Sequence, residues 1–196
     1  QCKVEVVRRD GDVDELGTLA VDDCGNMALT ADPTRGTLAD PRRPYVVVAN
    51  HESYADVFLI SCFPWEMKWL SKDTMFKIPC MGWMMQMAGD IKLIRGKRES
   101  AIDAINQCRD RLKKKVSIMI FPEGTRVKPG QHRKYRLGGA WLAAHAGAPV
   151  VPVAHNAGRF WPRNSFLKYP GTVTVRIGPP IDSAGREPAE INAMAE

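Results

Sequence analysis

The stretch that decides the fold is YVVVANHESYAD, residues 45–56. Its first part, residues 45–49, is a short continuous run of apolar and mostly β-branched side chains, which is typical of a strand buried on both faces of a sheet. A second run of this kind, VSIMIF, occupies residues 116–121. We therefore expect the polar residues that begin with Asn50 and His51 to follow the end of a central strand.

Helical patterns separate these strands. Residues 100–115 can begin with Ser100 as the N-terminal cap and place four apolar side chains on one face, namely Ala101, Ile105, Cys108 and Leu112. Residues 137–146 form a second predicted helix, which ends at Gly147. Further strands are predicted over residues 89–96, 148–154 and 171–178. This alternation predicts an α/β domain with a mixed, largely parallel central sheet flanked by helices.

The first 44 residues have a different character. Residues 3–8 alternate like a half-exposed strand, and residues 10–17 are rich in turn-forming side chains. Residues 18–44 predict a strand or two and a long loop that ends in DPRRP, where the prolines exclude a regular helix. We therefore divide the chain into an N-terminal segment of unknown role, residues 1–44, and a main domain, residues 45–196.

Composition restricts the classes of partner and compartment. The net charge of +6 and the isoelectric point near 9.2 favour an anionic partner, although a well-solvated basic surface would give the same numbers. The five cysteines are an odd number without a CxxC pair, which indicates a reduced compartment. The four histidines show no metal-ligand spacing with the cysteines, so no metal site is expected.

No apolar run approaches the roughly 18–20 residues that a membrane-spanning helix requires. The chain starts at Gln1 and not at Met, and we interpret it as a portion of a longer protein. An upstream anchor or signal is compatible with that interpretation.

His51 and Asp56 are the first candidates for chemistry. Residues five apart on one helix are separated by about 140° around its axis, so His51 must precede the helix and Asp56 must lie in its first turns if they are to meet. A carboxylate bonded to one ring nitrogen leaves the other free to accept a proton. With no GxSxG nucleophile in the sequence, such a base would activate a hydroxyl of the substrate. The alternative is a polar helix entry followed by a capping or solvated acid.

Two further segments offer groups that bind anions. In FPEGTR, residues 121–126, Gly124 permits a tight turn or close approach of a ligand, and Thr125 and Arg126 supply a hydroxyl and a guanidinium. The segment GDIKLIRG ends with another cation, Arg95. Ligands of open α/β sheets bind at the carboxyl ends of the strands, where these segments are expected. Taken singly, the two could be an ordinary turn and a solvated edge arginine.

Four segments together resemble, in their order and spacing, the four motif blocks of the glycerolipid acyltransferase family. They are NHESYAD, GDIKLIR, FPEGTR and VVPVA, and the resemblance covers about residues 45–182. The resemblance implies that residues 45–196 are a catalytic domain that transfers an acyl group to the sn-2 hydroxyl of 1-acyl-glycerol 3-phosphate, forming phosphatidic acid. It implies that His51 is the base and Asp56 its orienting partner. It also assigns five residues to the glycerol phosphate of the acceptor, Arg95, Glu123, Gly124, Thr125 and Arg126.

The resemblance also implies the partners. They are a lysophospholipid and an acyl donor, either acyl-CoA or acyl-carrier protein, with no cofactor, no metal and no nucleic acid. Residues 151–153 match the fourth block, which would give structural support and contact the donor. The thioester oxyanion needs fixed donors, for which Lys72 or a backbone N–H near His51 is a candidate. The alternative for Lys72 is a surface lysine on a helix.

Membrane contact is predicted from residues 64–87, which combine tryptophans, lysines and methionines, although a buried Met-rich core would explain them equally. We expect a protein at the cytoplasmic face of the cell membrane, peripheral or anchored by a segment outside this chain. Glu52 and residues 10–44 depart from the family pattern, and the family's N-terminal membrane helices are absent from the sequence. Alternatives are another lysolipid or glycerol 3-phosphate as acceptor, or a non-catalytic lipid- or nucleotide-binding module.

Overall fold

The computed structural model describes residues 2–7, 13–21, 27–31, 40, 42–63, 65–163 and 165–196. From residue 46 onward the described chain contributes six strands to a central sheet: β4 (Val46–Ala49), β5 (Met67–Lys72), β6 (Ile91–Leu93), β7 (Ser117–Ile120), β8 (Val150–His155) and β9 (Val173–Ile177). Their order is β9-β8-β4-β7-β5-β6. Neighbours from β8 to β6 are parallel, and β9 is antiparallel to β8. The predicted mixed, largely parallel sheet is confirmed.

Three strands near the N-terminus extend this sheet: β1 (Cys2–Val7), β2 (Val13–Val21) and β3 (Met27–Ala31). β1 pairs in parallel with β9, and β2 and β3 follow as antiparallel neighbours. The strand predicted at 3–8 is confirmed, with described bounds of residues 2–7. The turn predicted at 10–17 is wrong from Val13 onward. These residues belong to β2 because they pair with β1. Residues 8–12, 22–26 and 32–39 lie outside the described residues. The division at residue 44 stays a prediction.

Helices lie between the strands of the main domain and after the last of them: α1 (Ala55–Ser61), α2 (Met81–Ala88), α3 (Arg98–Lys113), α4 (Gly138–Ala146), α5 (Ala157–Phe160) and α6 (Pro188–Ala195), with a 3₁₀ turn at Met75–Lys77. As predicted, α4 ends at Gly147, whose φ of 61° is the left-handed conformation that suits glycine. Among the described residues, no helix combines the length and apolar character needed to cross a bilayer.

α3 starts earlier than its sequence indicates. Its N-cap is Lys97 and not Ser100, because the Ser100 hydroxyl accepts a hydrogen bond from the backbone N–H of Ile94 and closes the turn between β6 and α3. The buried side chains of α3 are Ala104, Cys108 and Leu112. The predicted burial of Cys108 and Leu112 is therefore confirmed. Ala104 is buried on this face where Ala101 was predicted, and Ile105 is only partly buried.

Both faces of the sheet are covered. Alternate residues of β4 point to opposite sides, so that Val47 and Ala49 belong to one core cluster and Val46 and Val48 to the other. The first cluster includes Leu59 and Ile60 of α1 and Ala157 of α5, and the second includes buried side chains of α3, α4 and α6. β4 is thereby the buried centre of the domain and fixes the position of the loop that follows it.

Candidate active site at the carboxyl edge of the sheet

Five parallel strands bring their carboxyl ends to one edge of the sheet. The loop that contains His51 leaves β4 there, between the neighbouring ends of β7 and β8. The FPEGTR segment follows β7, and Arg95 follows β6. The candidate residues that were separated in sequence therefore converge on one edge.

The predicted contact between His51 and Asp56 is present. His51 precedes α1 and Asp56 lies in its first turn, with His51 Nδ1 2.8 Å from Asp56 Oδ2. The same oxygen accepts the backbone N–H groups of Glu52 at 2.7 Å and Ser53 at 2.8 Å. A carboxylate only accepts, so Nδ1 of His51 donates and Nε2 keeps its lone pair. The His51 side chain is 19% exposed and that of Asp56 is fully buried, so the imidazole can be reached from solvent while its partner cannot.

The ring of His51 is also held by stacking. The Phe121 ring lies 4.0 Å from it, centroid to centroid, with an interplanar angle of 10°. Phe121 in turn lies 5.8 Å from the ring of Trp69. Phe121 begins the FPEGTR segment, but no role was predicted for it from the sequence. Stacking and the Asp56 hydrogen bond together restrict both tilt and rotation of the imidazole.

Glu123 ties the loop after β7 to the backbone of His51. Its Oε2 accepts the His51 N–H at 3.0 Å, and the His51 carbonyl accepts the N–H of Val127 at 2.7 Å. Burial raises the pKa of Glu123 to about 7, and the nearby carboxyls of Glu52 and Asp56 act in the same direction. With this pKa, Glu123 changes its protonation state near neutral pH while it accepts a hydrogen bond from the loop that contains His51.

Arg126 has an unused donor. Its guanidinium lies over the Tyr54 ring, 3.8 Å from the centroid, and Nη2 donates to the Tyr54 hydroxyl at 3.0 Å. Nη1 is buried, and it has no hydrogen-bond partner among the described residues. Because a buried guanidinium N–H is costly to leave unpaired, this group favours an incoming anion.

Gly124 lies between Glu123 and the half-buried Thr125 in a conformation that favours glycine, with φ of 71°. An added Cβ would lie 3.0 Å from Nε of Arg136. Glycine is needed here both for its backbone angle and for the close approach of an arginine.

Arg95 lies in a basic neighbourhood. Loss of hydration, together with the charges of Arg133 and Arg136, lowers the pKa of Arg95 from its usual value. Both neighbours come from the HRKYR run, residues 132–136, which follows FPEGTR. Neither arginine was predicted as a site residue, although the density of cations in that run could have indicated an anion-binding group.

Lys72 is the last residue of β5, pairs with Leu93 of β6, and is exposed. It lies at the same edge of the sheet, two strands away from β4. The alternative oxyanion donors, backbone N–H groups near His51, are already used: those of His51, Glu52 and Ser53 donate to carboxylates. These three groups are therefore engaged, and the choice between Lys72 and a backbone N–H stays a prediction.

Asn50 and Glu52 connect the His51 loop to the end of β8 and the chain after it. The Asn50 side chain donates to the carbonyl of His155 and accepts its N–H, both at 2.9 Å. Glu52 Oε2 accepts the N–H of Gly158 at 3.2 Å, and burial raises the pKa of Glu52. Sequence reasoning missed His155 and Gly158, which lie just beyond the fourth motif block. Within that block, Val151 and Val153 are buried in the core, as predicted for structural support.

The chain belongs to the acyltransferase family: the family model described as Acyltransferase matches residues 33–156. The predicted family resemblance is confirmed. The 1-acyl-sn-glycerol-3-phosphate acyltransferase of Pseudomonas aeruginosa is 38% identical over 166 residues, 83% of this chain and 65% of that protein. The protein of the same name from Saccharomyces cerevisiae is 31% identical over 161 residues, 79% of this chain and 53% of that protein.

A solved structure supports the fold. The 1-acyl-sn-glycerophosphate (LPA) acyltransferase PlsC from Thermotoga maritima matches with a TM-score of 0.66 and 27% sequence identity, over 81% of this chain and 65% of that chain. The chain therefore spans slightly less than two thirds of the Pseudomonas and Thermotoga proteins and about half of the yeast protein.

Proposed function

We propose that the protein transfers an acyl group from a thioester donor to the sn-2 hydroxyl of 1-acyl-glycerol 3-phosphate, forming phosphatidic acid. The observation that carries this proposal is the 2.8 Å contact between His51 Nδ1 and Asp56 Oδ2 at the carboxyl edge of the sheet. The names of the Pseudomonas, yeast and Thermotoga relatives support the choice of acceptor.

In the proposed mechanism, Nε2 of His51 takes the proton of the acceptor hydroxyl as its oxygen attacks the thioester carbonyl. The tetrahedral oxyanion then collapses, the carbon–sulfur bond breaks, and the thiolate recovers the proton from the imidazolium. Asp56 stabilises the imidazolium and keeps the proton of the neutral ring on Nδ1. The protein contributes no covalent nucleophile and needs no metal or prosthetic group for these steps.

The phosphate of the acceptor is proposed to bind Arg126 and Arg95. The unpartnered Nη1 of Arg126 is the strongest support, since Tyr54 already engages the other side of the guanidinium. Thr125 adds a hydroxyl, and the backbone at Gly124 permits close approach. Glu123 supports this segment through its bond to His51, and in its protonated form it can donate to the phosphate.

The oxyanion is proposed to be stabilised by Lys72. It ends a strand at the edge where the reaction would take place, and its side chain is exposed and able to reach a bound donor. The backbone N–H groups of His51, Glu52 and Ser53 donate to carboxylates, which favours a cation for this role.

The acceptor and product are lipids, so we propose that this edge of the protein meets a membrane surface. Support comes from α2, where Trp83 is 64% exposed, Met84 59% and Met87 81%. Phe58 of α1, 59% exposed, lies close to the catalytic loop. We propose the cytoplasmic face of the cell membrane, where acyl-CoA and acyl-carrier protein are both available as donors.

A panel of acceptors tests the function. The purified protein in mixed micelles is given acyl-CoA and one of lysophosphatidate, glycerol 3-phosphate or a lysophospholipid with a head group, while thiol release is followed and products are identified by mass spectrometry. Lysophosphatidate should give the highest kcat/KM, and His51→Ala should abolish its turnover. A higher kcat/KM with another acceptor would identify a different acyltransferase. Absence of thiol release with every acceptor would favour a binding module.

A further inference from the structure

Two buried polar atoms face each other behind the His51–Asp56 pair. Oδ1 of Asp56 lies 3.8 Å from Nε2 of His155, and both side chains are fully buried. Neither atom has a hydrogen-bond partner in the part of the chain that the structure describes. Oδ2 of the same carboxylate, in contrast, accepts three hydrogen bonds. The second oxygen of the orienting carboxylate is thus left to His155.

The proton of His155 is on the nitrogen that faces Asp56. Nδ1 of His155 accepts the backbone N–H of Ala157 at 3.4 Å, so in the neutral ring the proton resides on Nε2. Burial lowers the pKa of His155 although the Asp56 carboxylate acts in the opposite direction. His155 therefore presents a neutral N–H donor to an acceptor-only oxygen.

The backbone of His155 is fixed relative to the catalytic loop. Asn50, which directly precedes His51, bonds to both the N–H and the carbonyl of His155. β4 and β8 are parallel neighbours, paired up to Ala49 and Val153. These contacts link the position of His155 to that of the His51 loop and hold the second histidine behind the carboxylate.

We propose that His155 is a positioning residue for the acyl transfer proposed above: its Nε2–H bonds to Oδ1 of Asp56 and holds the carboxylate with Oδ2 on His51. A shortening by about 1 Å brings the two atoms to an ordinary hydrogen-bond distance. With both oxygens bonded, the buried carboxylate keeps its orientation when His51 takes the proton of the acceptor. The inference rests on the proposed function, since it concerns the same base.

Two substitutions at one position separate positioning from packing. His155→Leu removes the donor and keeps an apolar side chain of moderate size, whereas His155→Gln retains an N–H at a similar reach. Turnover of lysophosphatidate is measured for both, with kcat and KM determined separately and folding checked by circular dichroism. We expect H155L to lower kcat by about ten- to a hundredfold and to change KM by less than about twofold. H155Q should recover at least half of this loss in kcat on a logarithmic scale.

An unchanged kcat in H155L would overturn the proposal, as would equal losses in H155L and H155Q. The wild-type protein provides a test that does not depend on whether H155L folds. In ¹⁵N-histidine NMR spectra, with the His155 signals assigned by their loss in H155Q, we expect a neutral ring protonated on Nε2. A ring protonated on Nδ1, or on both nitrogens at neutral pH, would overturn the proposal.

The outcomes also separate this inference from the function on which it rests. Absence of wild-type turnover with lysophosphatidate would overturn the proposed function. Wild-type turnover together with an unimpaired H155L enzyme would overturn only the role of His155.

Discussion

The backbone N–H of His51 donates to the side chain of Glu123, 3.0 Å away and at the end of the neighbouring strand. This bond makes the position of the His51 loop depend on a carboxyl group whose pKa is raised by burial to about 7. The Val127 N–H, which donates to the His51 carbonyl at 2.7 Å, completes the link between the two loops. The placement of His51 is therefore determined by two strands together.

The pKa of Glu123 predicts a pH dependence of stability. Its value is raised from 4.5 to about 7 in the folded protein, so the folded state binds more protons than the unfolded state between these values. The contribution of Glu123 to stability is complete below pH 4.5 and is lost as the pH rises through 7. We expect Glu123→Gln to gain stability relative to wild type between pH 5 and 8, by roughly 1–3 kcal/mol, in thermal unfolding followed by circular dichroism.

Glu99→Gln is the matched control, since Glu99 is exposed in the first turn of α3. Its difference from wild type should change little over the same pH range. A constant difference between E123Q and wild type from pH 5 to 8 would contradict the titration of Glu123 in this window.

Asp56→Asn should remove most of the activity. An amide cannot hold the His51 proton on Nδ1 in the way a carboxylate does, and it provides no negative charge for the imidazolium. We expect kcat to fall on the order of 10³- to 10⁴-fold in the lysophosphatidate assay, with a smaller change in KM. A variant that folds and retains more than a tenth of the wild-type kcat would show that Asp56 does not orient the base.

Arg126 should control the affinity for the acceptor. Loss of a charge-assisted bond to phosphate costs about 1.5–3 kcal/mol, so Arg126→Ala should lower kcat/KM for lysophosphatidate by roughly 10- to 100-fold. The KM for acyl-CoA should stay unchanged. Arg126→Lys keeps the charge but loses the fork that engages Tyr54, and should give an intermediate value. An unaltered KM for lysophosphatidate in R126A would exclude Arg126 as the phosphate ligand.

Gly158 should tolerate no side chain. A Cβ at this position would lie 2.5 Å from Cβ of Glu52, 2.7 Å from its Oε2 and 3.2 Å from Cγ of Pro129. We expect Gly158→Ala to destabilise the protein by about 1–3 kcal/mol and to lower Tm by several degrees. It should also impair catalysis, since Glu52 lies in the His51 loop.

Gly138→Ala provides the comparison. Apart from its chain neighbours and its own helix, no described residue has an atom within 4 Å of a Cβ at Gly138, the first residue of α4, and alanine favours a helix. This variant should be as stable as wild type or slightly more so. Equal stability of G158A and G138A would mean that the Glu52 contact is not as close as described.

Local patterns were sufficient for much of the fold. The buried runs at 45–49 and 116–121 predict β4 and β7, because a strand covered on both faces needs apolar side chains at every position. Gly147 ends α4 for a reason of backbone geometry that acts within a few residues. Ser100 was assigned wrongly because a hydroxyl that can cap a helix can equally close the preceding turn, and only the path of the chain from β6 decides between them.

The sequence by itself determined that His51 precedes a helix and that Asp56 lies in its first turn, since a separation of five residues allows contact only in that arrangement. Tertiary structure alone decided what surrounds the pair. Glu123 and His155 reach the His51 loop across neighbouring strands, and hydrogen bonds between strands leave no periodic trace in sequence. The contact between His51 and Asp56 is thus encoded locally, whereas the groups that hold the pair in place depend on the order of strands in the sheet.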